Sequence, residues 1–282
     1  MNKVEMTIFK LYQIFLVVIS MPLILLDFFS KEAGREYGVG FFKKTVLLYR
    51  VIRNNFMIRS ASNFLEHLTM STEILKIPPK VEGCIIECGS YKGGSTANLS
   101  LVATLCKRRL EIFDSFEGLP APSGDDREHV IFDSRQIHIY SKGAWKGHLE
   151  EVKANVSRYG DISICNFNVG YFEETLLRFK QPIAFVFLDV DLRTSLETCL
   201  KNLWPLLQDG CYLFTHEAMH MEIASLFFDK EWWVKNLKSG FPGLIGAGSG
   251  LGLVPQKGAF KSAIGFTIKN PTTERFTRIT QG

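Results

Sequence analysis

The sequence predicts an α/β fold in which a mostly parallel sheet is covered by helices on both faces and preceded by a helical extension. Three observations carry the prediction. From Val81 onward, short apolar runs alternate with longer segments of helical period, the order that builds a parallel sheet with helical crossovers. The first run, Cys84–Cys88, leads into a glycine-rich turn and then a helix. Polar residues stand at the ends of five successive runs, and the carboxyl edge of such a sheet is where ligands bind.

With 282 residues and 46% apolar content, the chain can bury one sizeable core and carry an appendage. Acids and bases are mixed along the chain and leave a formal net charge of +4. That balance does not suggest a nucleic-acid substrate and gives a mild attraction to anionic membrane surfaces. The six cysteines (84, 88, 106, 165, 199 and 211) are scattered and contain no C-x-x-C pair. Most lie in apolar runs and read as buried thiols of a reducing compartment.

Residues 1–36 form a hydrophobic N-terminal segment. Ile14 to Leu26 is apolar apart from Ser20 and Pro22, and Ile8, Phe9, Leu11, Tyr12, Phe28 and Phe29 extend it. The uncharged core is shorter than the roughly 20 residues of a spanning helix. Three readings are open: a membrane anchor or in-plane helix over residues 8–29, a signal-like segment without an evident cleavage site, or a helix buried on the protein's own core or at a dimer interface. Residues 37–80 predict an amphipathic helical region. Phe41, Phe42, Val46, Leu47, Val51, Ile52 and Phe56 make its apolar face, with Lys43, Lys44, Arg50, Arg53 and Arg59 on the others. Pro78 and Pro79 close it.

The α/β domain is expected over residues 81–282. Its strands are Cys84–Cys88, Leu110–Phe113, Ile162–Phe167, Ile183–Leu188 and Cys211–Thr215; its helices are Ser95–Lys107, Leu149–Tyr159, Glu173–Phe179 and Ser195–Leu207. A closing β-hairpin is expected from Leu251 to Ile268, turning around Gln256, Lys257 and Gly258. The glycines between Gly240 and Gly252 read as a loop beside a site or as a plain connector.

The strand ends carry the chemistry. After the first strand, Gly89, Gly93 and Gly94 permit backbone N–H groups and a helix N-terminus to approach a polar ligand; helix–strand packing is the competing role. Asp114 ends the next strand about 20 residues on, where α/β units place an acid for ribose hydroxyls. Tyr91 breaks the G-x-G-x-x-G spacing, which argues against a pyrophosphate dinucleotide and for a nucleoside with a smaller polar tail. The third end offers Asn166, Asn168 and Gly170. The fourth and fifth, Asp189-Val190-Asp191 and Thr215-His216-Glu217, supply carboxylates and an imidazole for a divalent cation; capping and core roles compete with that reading. Of Asp189 and Asp191, only one is expected to face the cleft. The insertion Ala121–His148 contains His129, His138, Tyr140, Trp145 and His148, the composition of a lid. His148 and His138 are its candidates for a general base.

From about Glu82 to Glu222 the chain resembles the macrocin-type O-methyltransferases, class I S-adenosylmethionine-dependent enzymes that methylate sugar hydroxyls on natural products. The similar stretches are Glu87-Cys-Gly-Ser-Tyr-Lys-Gly-Gly-Ser, Phe113-Asp-Ser-Phe-Glu-Gly-Leu-Pro, Leu149-Glu-Glu-Val-Lys-Ala-Asn-Val-Ser-Arg-Tyr-Gly, Gly170-Tyr-Phe-Glu-Glu-Thr-Leu and Leu188-Asp-Val-Asp-Leu. The resemblance implies a Rossmann-like sheet with a closing antiparallel hairpin. It implies that Glu87, Gly89, Ser90, Tyr91, Gly93, Gly94 and Ser95 hold the methionine portion of S-adenosylmethionine, with Asp114 and Ser115 at the ribose. Asp189 matches the family's first metal-binding aspartate and is also a catalytic candidate. The family's acid pair after the fifth strand is His216-Glu217 here.

The resulting expectation is an S-adenosylmethionine-dependent O-methyltransferase acting on a sugar or on a glycosylated or lipid-linked acceptor, assisted by Mg2+ or Mn2+ at Asp189, His216 and Glu217. Its expected place is the cytoplasm, with membrane association through residues 8–29, and a homo-oligomer fits the same picture. The alternative is an S-adenosylmethionine-binding protein of a membrane-associated glycan pathway that no longer transfers methyl groups.

Overall fold

The computed structural model describes Phe15 and residues 21–131, 136–245 and 264–271. Residues 21–28 are helical (α1), followed by α2 (Phe41–Met57) and α3 (Phe64–Lys76). The strands in chain order are β1 (Cys84–Cys88), β2 (Leu110–Asp114), β3 (Glu128–Ile131), β4 (Gln136–Ile139), β5 (Cys165–Val169), β6 (Ile183–Leu188), β7 (Leu207–Thr215) and β8 (Gly265–Ile268). Between and after them run α4 (Gly94–Leu105), α5 (Leu149–Tyr159), α6 (Phe172–Thr175), α7 (Arg193–Leu203), α8 (Met221–Leu226) and α9 (Lys230–Leu237).

The main sheet has the order β5-β2-β1-β6-β7-β8, parallel throughout except for β8, which runs antiparallel to β7. Every residue of β1 and β6 is buried, as central strands covered on both faces require. Strand order reverses between β1 and β6, and their carboxyl ends therefore border the crevice where such folds bind ligands. The third strand of the sheet begins later than the periodicity suggests. Ile162–Ile164 winds into a 3-10 turn capped by Asp161, whose side chain accepts from the Ser163 N–H. Of the expected closing hairpin, β8 is present; its turn around Gln256 lies outside the described residues.

Two apolar cores sandwich the sheet. Ile85 points into one, with Leu47, Leu68, Val102 and Val156 from α2 to α5; Ile86 points into the other, with Leu196, Ile223 and Trp233 from α7 to α9. This is the period-two alternation of a strand expressed as two cores. All six cysteines are free and five are buried.

The face assignment on α2 has to be corrected. Its inward residues are Lys44, Leu47, Val51 and Asn54. Lys44 is buried because its Nζ donates to the Ser30 carbonyl at 2.7 Å, and Asn54 because its amide donates to Asn98 Oδ1 and the Tyr159 carbonyl. Phe41, Phe42, Val46 and Phe56 face outward. Phe42, Tyr49 and Phe56, seven residues apart, line up as an exposed apolar stripe. The helix is apolar on two sides, and periodicity alone does not say which side meets the core. Among the described residues, no helix is long and apolar enough to cross a membrane.

Candidate functional site

The carboxyl edge of the sheet opens on a cavity of about 300 Å³. Its wall includes Gly89 and Tyr91 after β1, Asp114 and Ser115 after β2, Gly170 after β5, Asp189 and Asp191 after β6, and His216 and Glu217 after β7. Asn166 and Asn168 do not reach it: both amides donate to Glu111 Oε2, at 2.7 and 3.1 Å, along the sheet edge.

The glycines of the first turn make room for protein. A Cβ on Gly89 would stand 1.9 Å from the carbonyl oxygen of Asp189; one on Gly93 would meet Val152 at 3.0 Å, and one on Gly94 would meet Ser60 at 2.8 Å. These residues let the turn close against the β6 tip, α5 and the segment before α3. Asp114 fastens the turn to the second strand end. Its Oδ2 accepts from the Ser90 N–H and hydroxyl at 2.7 and 2.9 Å, and its Oδ1 from the Phe116 N–H at 2.7 Å. Ser115 closes its own loop by donating to the Gly118 carbonyl.

Glu87 is fully buried on the α4 side of β1, and neither carboxylate oxygen has a partner at hydrogen-bonding distance among the described residues. Burial pushes its carboxyl up to about 8; the hydroxyls of Ser95 and Thr96 offset only part of this. Ser90, Gly93, Gly94 and Ser95 stand with Glu87 outside the cavity lining, so Gly89, Tyr91, Asp114 and Ser115 are the cofactor candidates on the wall.

Asp189, His216 and Glu217 form a tight cluster, with one ligand atom of each within 4.8 Å of the others. His216 Nδ1 lies 3.5 Å from Asp189 Oδ1 and 3.6 Å from Glu217 Oε1. Glu217 is 3% exposed, with no hydrogen-bond partner for either oxygen among the described residues. Burial opposes the imidazolium of His216, but Asp189, Glu217 and Glu66 outweigh it and push the ring up to about 10. Burial also holds the Asp189 carboxyl well above the usual range; His216 counters this and Glu217 adds to it. A buried carboxylate without partners and a half-buried one gathered around an imidazole fit a divalent cation.

Both aspartates of Asp189-Val190-Asp191 line the cavity, which corrects the expectation that only one would: residues two apart on an extended chain share a face. β6 ends at Leu188, and Asp191 adopts a left-handed φ of 60°. Burial pushes its carboxyl up to about 7, with Asp189 adding and the His216 and Tyr140 partners opposing.

The insertion forms the expected cover. β3 and β4 pair antiparallel, and the Leu119 N–H donates to the Ala144 carbonyl while the Leu119 carbonyl accepts the Gly143 N–H, which folds the following loop over the turn. Trp145 meets Tyr91 edge-on at 5.6 Å, and a Cβ on Gly147 would stand 1.5 Å from the Tyr91 carbonyl oxygen. His138 lines the cavity, stacked on Tyr140 at 4.4 Å. His148 is exposed at the N-cap of α5 and takes no part in the lining.

His220, missed in the sequence, also lines the cavity. Its Nδ1 lies 3.2 Å from the Tyr140 hydroxyl and 3.3 Å from His129 Nδ1, and His129 Nε2 lies 3.5 Å from Asp126. The signal available was its place just after the fifth strand end.

A Rossmann-like sheet with a cavity at its switch point, a glycine turn and an acid at the second strand end is the arrangement of a nucleoside-binding α/β enzyme, a class that includes the class I S-adenosylmethionine-dependent methyltransferases. The chain belongs to the macrocin-O-methyltransferase (TylF) family, whose model matches residues 60–230, and is an S-adenosylmethionine-dependent O-methyltransferase. Among solved structures it is similar to the O-methyltransferase NovP, with 17% identity and a TM-score of 0.55 over 89% of this chain and 99% of that one. The calicheamicin methyltransferase CalS11 aligns with 17% identity and a TM-score of 0.49 over 80% of this chain and 92% of its own. No curated protein matches in sequence.

Proposed function

We propose that the enzyme methylates a hydroxyl of a sugar, on a small-molecule, glycosylated or lipid-linked acceptor, with a divalent cation held by Asp189, His216 and Glu217. The convergence of that cluster with Gly89, Tyr91 and Asp114 on one cavity supports this reading. The sugar comes from the family, which is described by macrocin O-methylation.

S-adenosylmethionine supplies an electrophilic methyl group when bound. A cation at the cluster supplies Lewis-acid polarisation of an acceptor hydroxyl. The residues do the rest. Gly89 and Tyr91 orient the cofactor's polar tail, Asp114 and Ser115 stand at its ribose, and Glu87 with Ser90, Gly93, Gly94 and Ser95 supports the turn from behind. Leu119, Ala144 and Trp145 exclude water. His138 accepts the hydroxyl proton at an imidazole nitrogen, with Asp191 as the second acceptor in the wall; His148, which does not line the cavity, has no such role.

In this proposal residues 81–282 carry the chemistry and residues 37–80 buttress the turn. Ile24 and Phe28 of the N-terminal segment pack in the protein's own core, and its exposed Leu23 and Leu26 with the Phe42–Tyr49–Phe56 stripe, flanked by Lys43 and Arg53, hold the enzyme to a membrane surface in the cytoplasm. The test is transfer of labelled methyl from S-adenosylmethionine into glycolipid and oligosaccharide extracts, with and without a divalent cation. Label in a sugar ether supports the reading; label confined to non-sugar acceptors overturns it.

A further inference from the structure

Glu66 belongs to α3, ahead of the first strand, yet it reaches the cation cluster. It is 1% exposed. Its Oε2 accepts the Asn63 N–H at 2.8 Å, closing the capping box of α3, and also lies 3.8 Å from Nε2 of His216. The other ring nitrogen, Nδ1, is the one directed at Asp189 and Glu217. The imidazole thus lies between a carboxylate from a separate element and the two carboxylates of the cluster, at ion-pair distances that closure on a cation would shorten. Histidines that ligate a metal through one nitrogen give the other N–H to a carboxylate or carbonyl, which fixes tautomer and ring plane.

We propose that Glu66 is the positioning residue of this site: it holds the Nε2–H of His216 so that Nδ1 becomes a ligand beside Asp189 and Glu217, and the mixed nitrogen and oxygen donor set selects Mn2+, Fe2+, Co2+ or Zn2+ over Mg2+. The inference rests on reading the cluster as a cation site. Its chemistry is that imidazole suits first-row transition metals, whereas Mg2+ favours carboxylate and water oxygens. Glu66 has a second duty as the N3 residue of the capping box, and the test has to separate the two. Glutamine at N3 keeps the capping bond to Asn63 while removing the charge.

The full-length protein, stripped of metal, is titrated with Mn2+ (electron paramagnetic resonance of the free ion) and with Co2+ (visible absorption); Mg2+ is measured by competition. Wild type is expected to bind Mn2+ and Co2+ roughly tenfold or more tighter than Mg2+. Glu66→Gln weakens Mn2+ binding about 10- to 100-fold with the melting temperature unchanged. In a His216→Asp background the preference for Co2+ over Mg2+ falls, and adding Glu66→Gln changes affinity by less than about threefold, because no imidazole remains to be held.

Equal losses from Glu66→Gln in both backgrounds, or none in wild type, overturn the role of Glu66; Mg2+ binding as tight as Mn2+ overturns the selectivity. If Asp189→Ala binds cations like wild type, or wild type binds none, the cation-site reading itself falls, an outcome distinct from the others.

Discussion

Replacing Gly89 by alanine tests the junction on which the site depends. The new Cβ would stand 1.9 Å from the Asp189 carbonyl oxygen, so reaching a van der Waals separation of about 3.5 Å requires the β1 and β6 tips to part by roughly 1.5 Å. Gly89 also has φ 86°, a conformation that costs an alanine about 1–2 kcal/mol. The turn carries the cofactor candidates and the other tip carries Asp189, so both halves of the site move apart. A misplacement of about 1 Å costs on the order of 100-fold in rate, or roughly 3 kcal/mol of transition-state stabilisation. Gly89→Ala is therefore expected to lose at least about 100-fold in methyl transfer and to weaken S-adenosylhomocysteine binding in calorimetry. Gly240→Ala, whose Cβ meets nothing within 4 Å, serves as the control. A Gly89→Ala protein that is folded and within about threefold of wild type would refute the reasoning.

Asp189→Ala is expected to abolish divalent-cation-dependent transfer while keeping S-adenosylhomocysteine binding within about tenfold; full cation-dependent activity in that variant contradicts the assignment. His138→Ala should lose about 100-fold or more in kcat and His148→Ala less than about threefold, measured side by side; the reverse order would move the base to α5. Glu87 titrates near 8 in the fold against 4.5 as its ordinary value, so the folded state binds more protons in that window and stability falls as pH rises through it. Glu87→Gln should thus gain on wild type by a few kcal/mol between about pH 5 and 8 and no further above it; a gap independent of pH in thermal melts counts against the buried, unpaired carboxyl. Replacing Phe42, Tyr49 and Phe56 together by serine should reduce co-sedimentation with anionic vesicles at least about tenfold without lowering the melting temperature; undiminished sedimentation removes the stripe from the membrane surface.

The sheet was legible because its strands are short apolar runs whose lengths and order admit few topologies: β1 and β6 fall on Cys84–Cys88 and Ile183–Leu188 as expected. The strand ends pointed to one edge, where Asp114, Asp189, His216 and Glu217 share a cavity. What remained hidden depends on contacts between distant segments. Gly89 faces the carbonyl of Asp189, just past β6 and 100 residues away in the chain. Asn166 and Asn168 look like ligand-binding groups until Glu111 is seen beside them. Asp189 and Asp191 both reach the cavity, as residues two apart on an extended chain share a face. On α2 two apolar faces compete, and the inner one is decided by Ser30, Asn98 and Tyr159 as partners for Lys44 and Asn54.

Anomalous diffraction from a crystal grown with S-adenosylhomocysteine and Mn2+ would locate both cofactor and cation in one experiment. S-adenosylhomocysteine is expected along Gly89 and Tyr91 with its ribose at Asp114, and a single anomalous peak is expected between Asp189, His216 Nδ1 and Glu217. S-adenosylhomocysteine in that cavity without a peak between those three residues would contradict the proposed cation site.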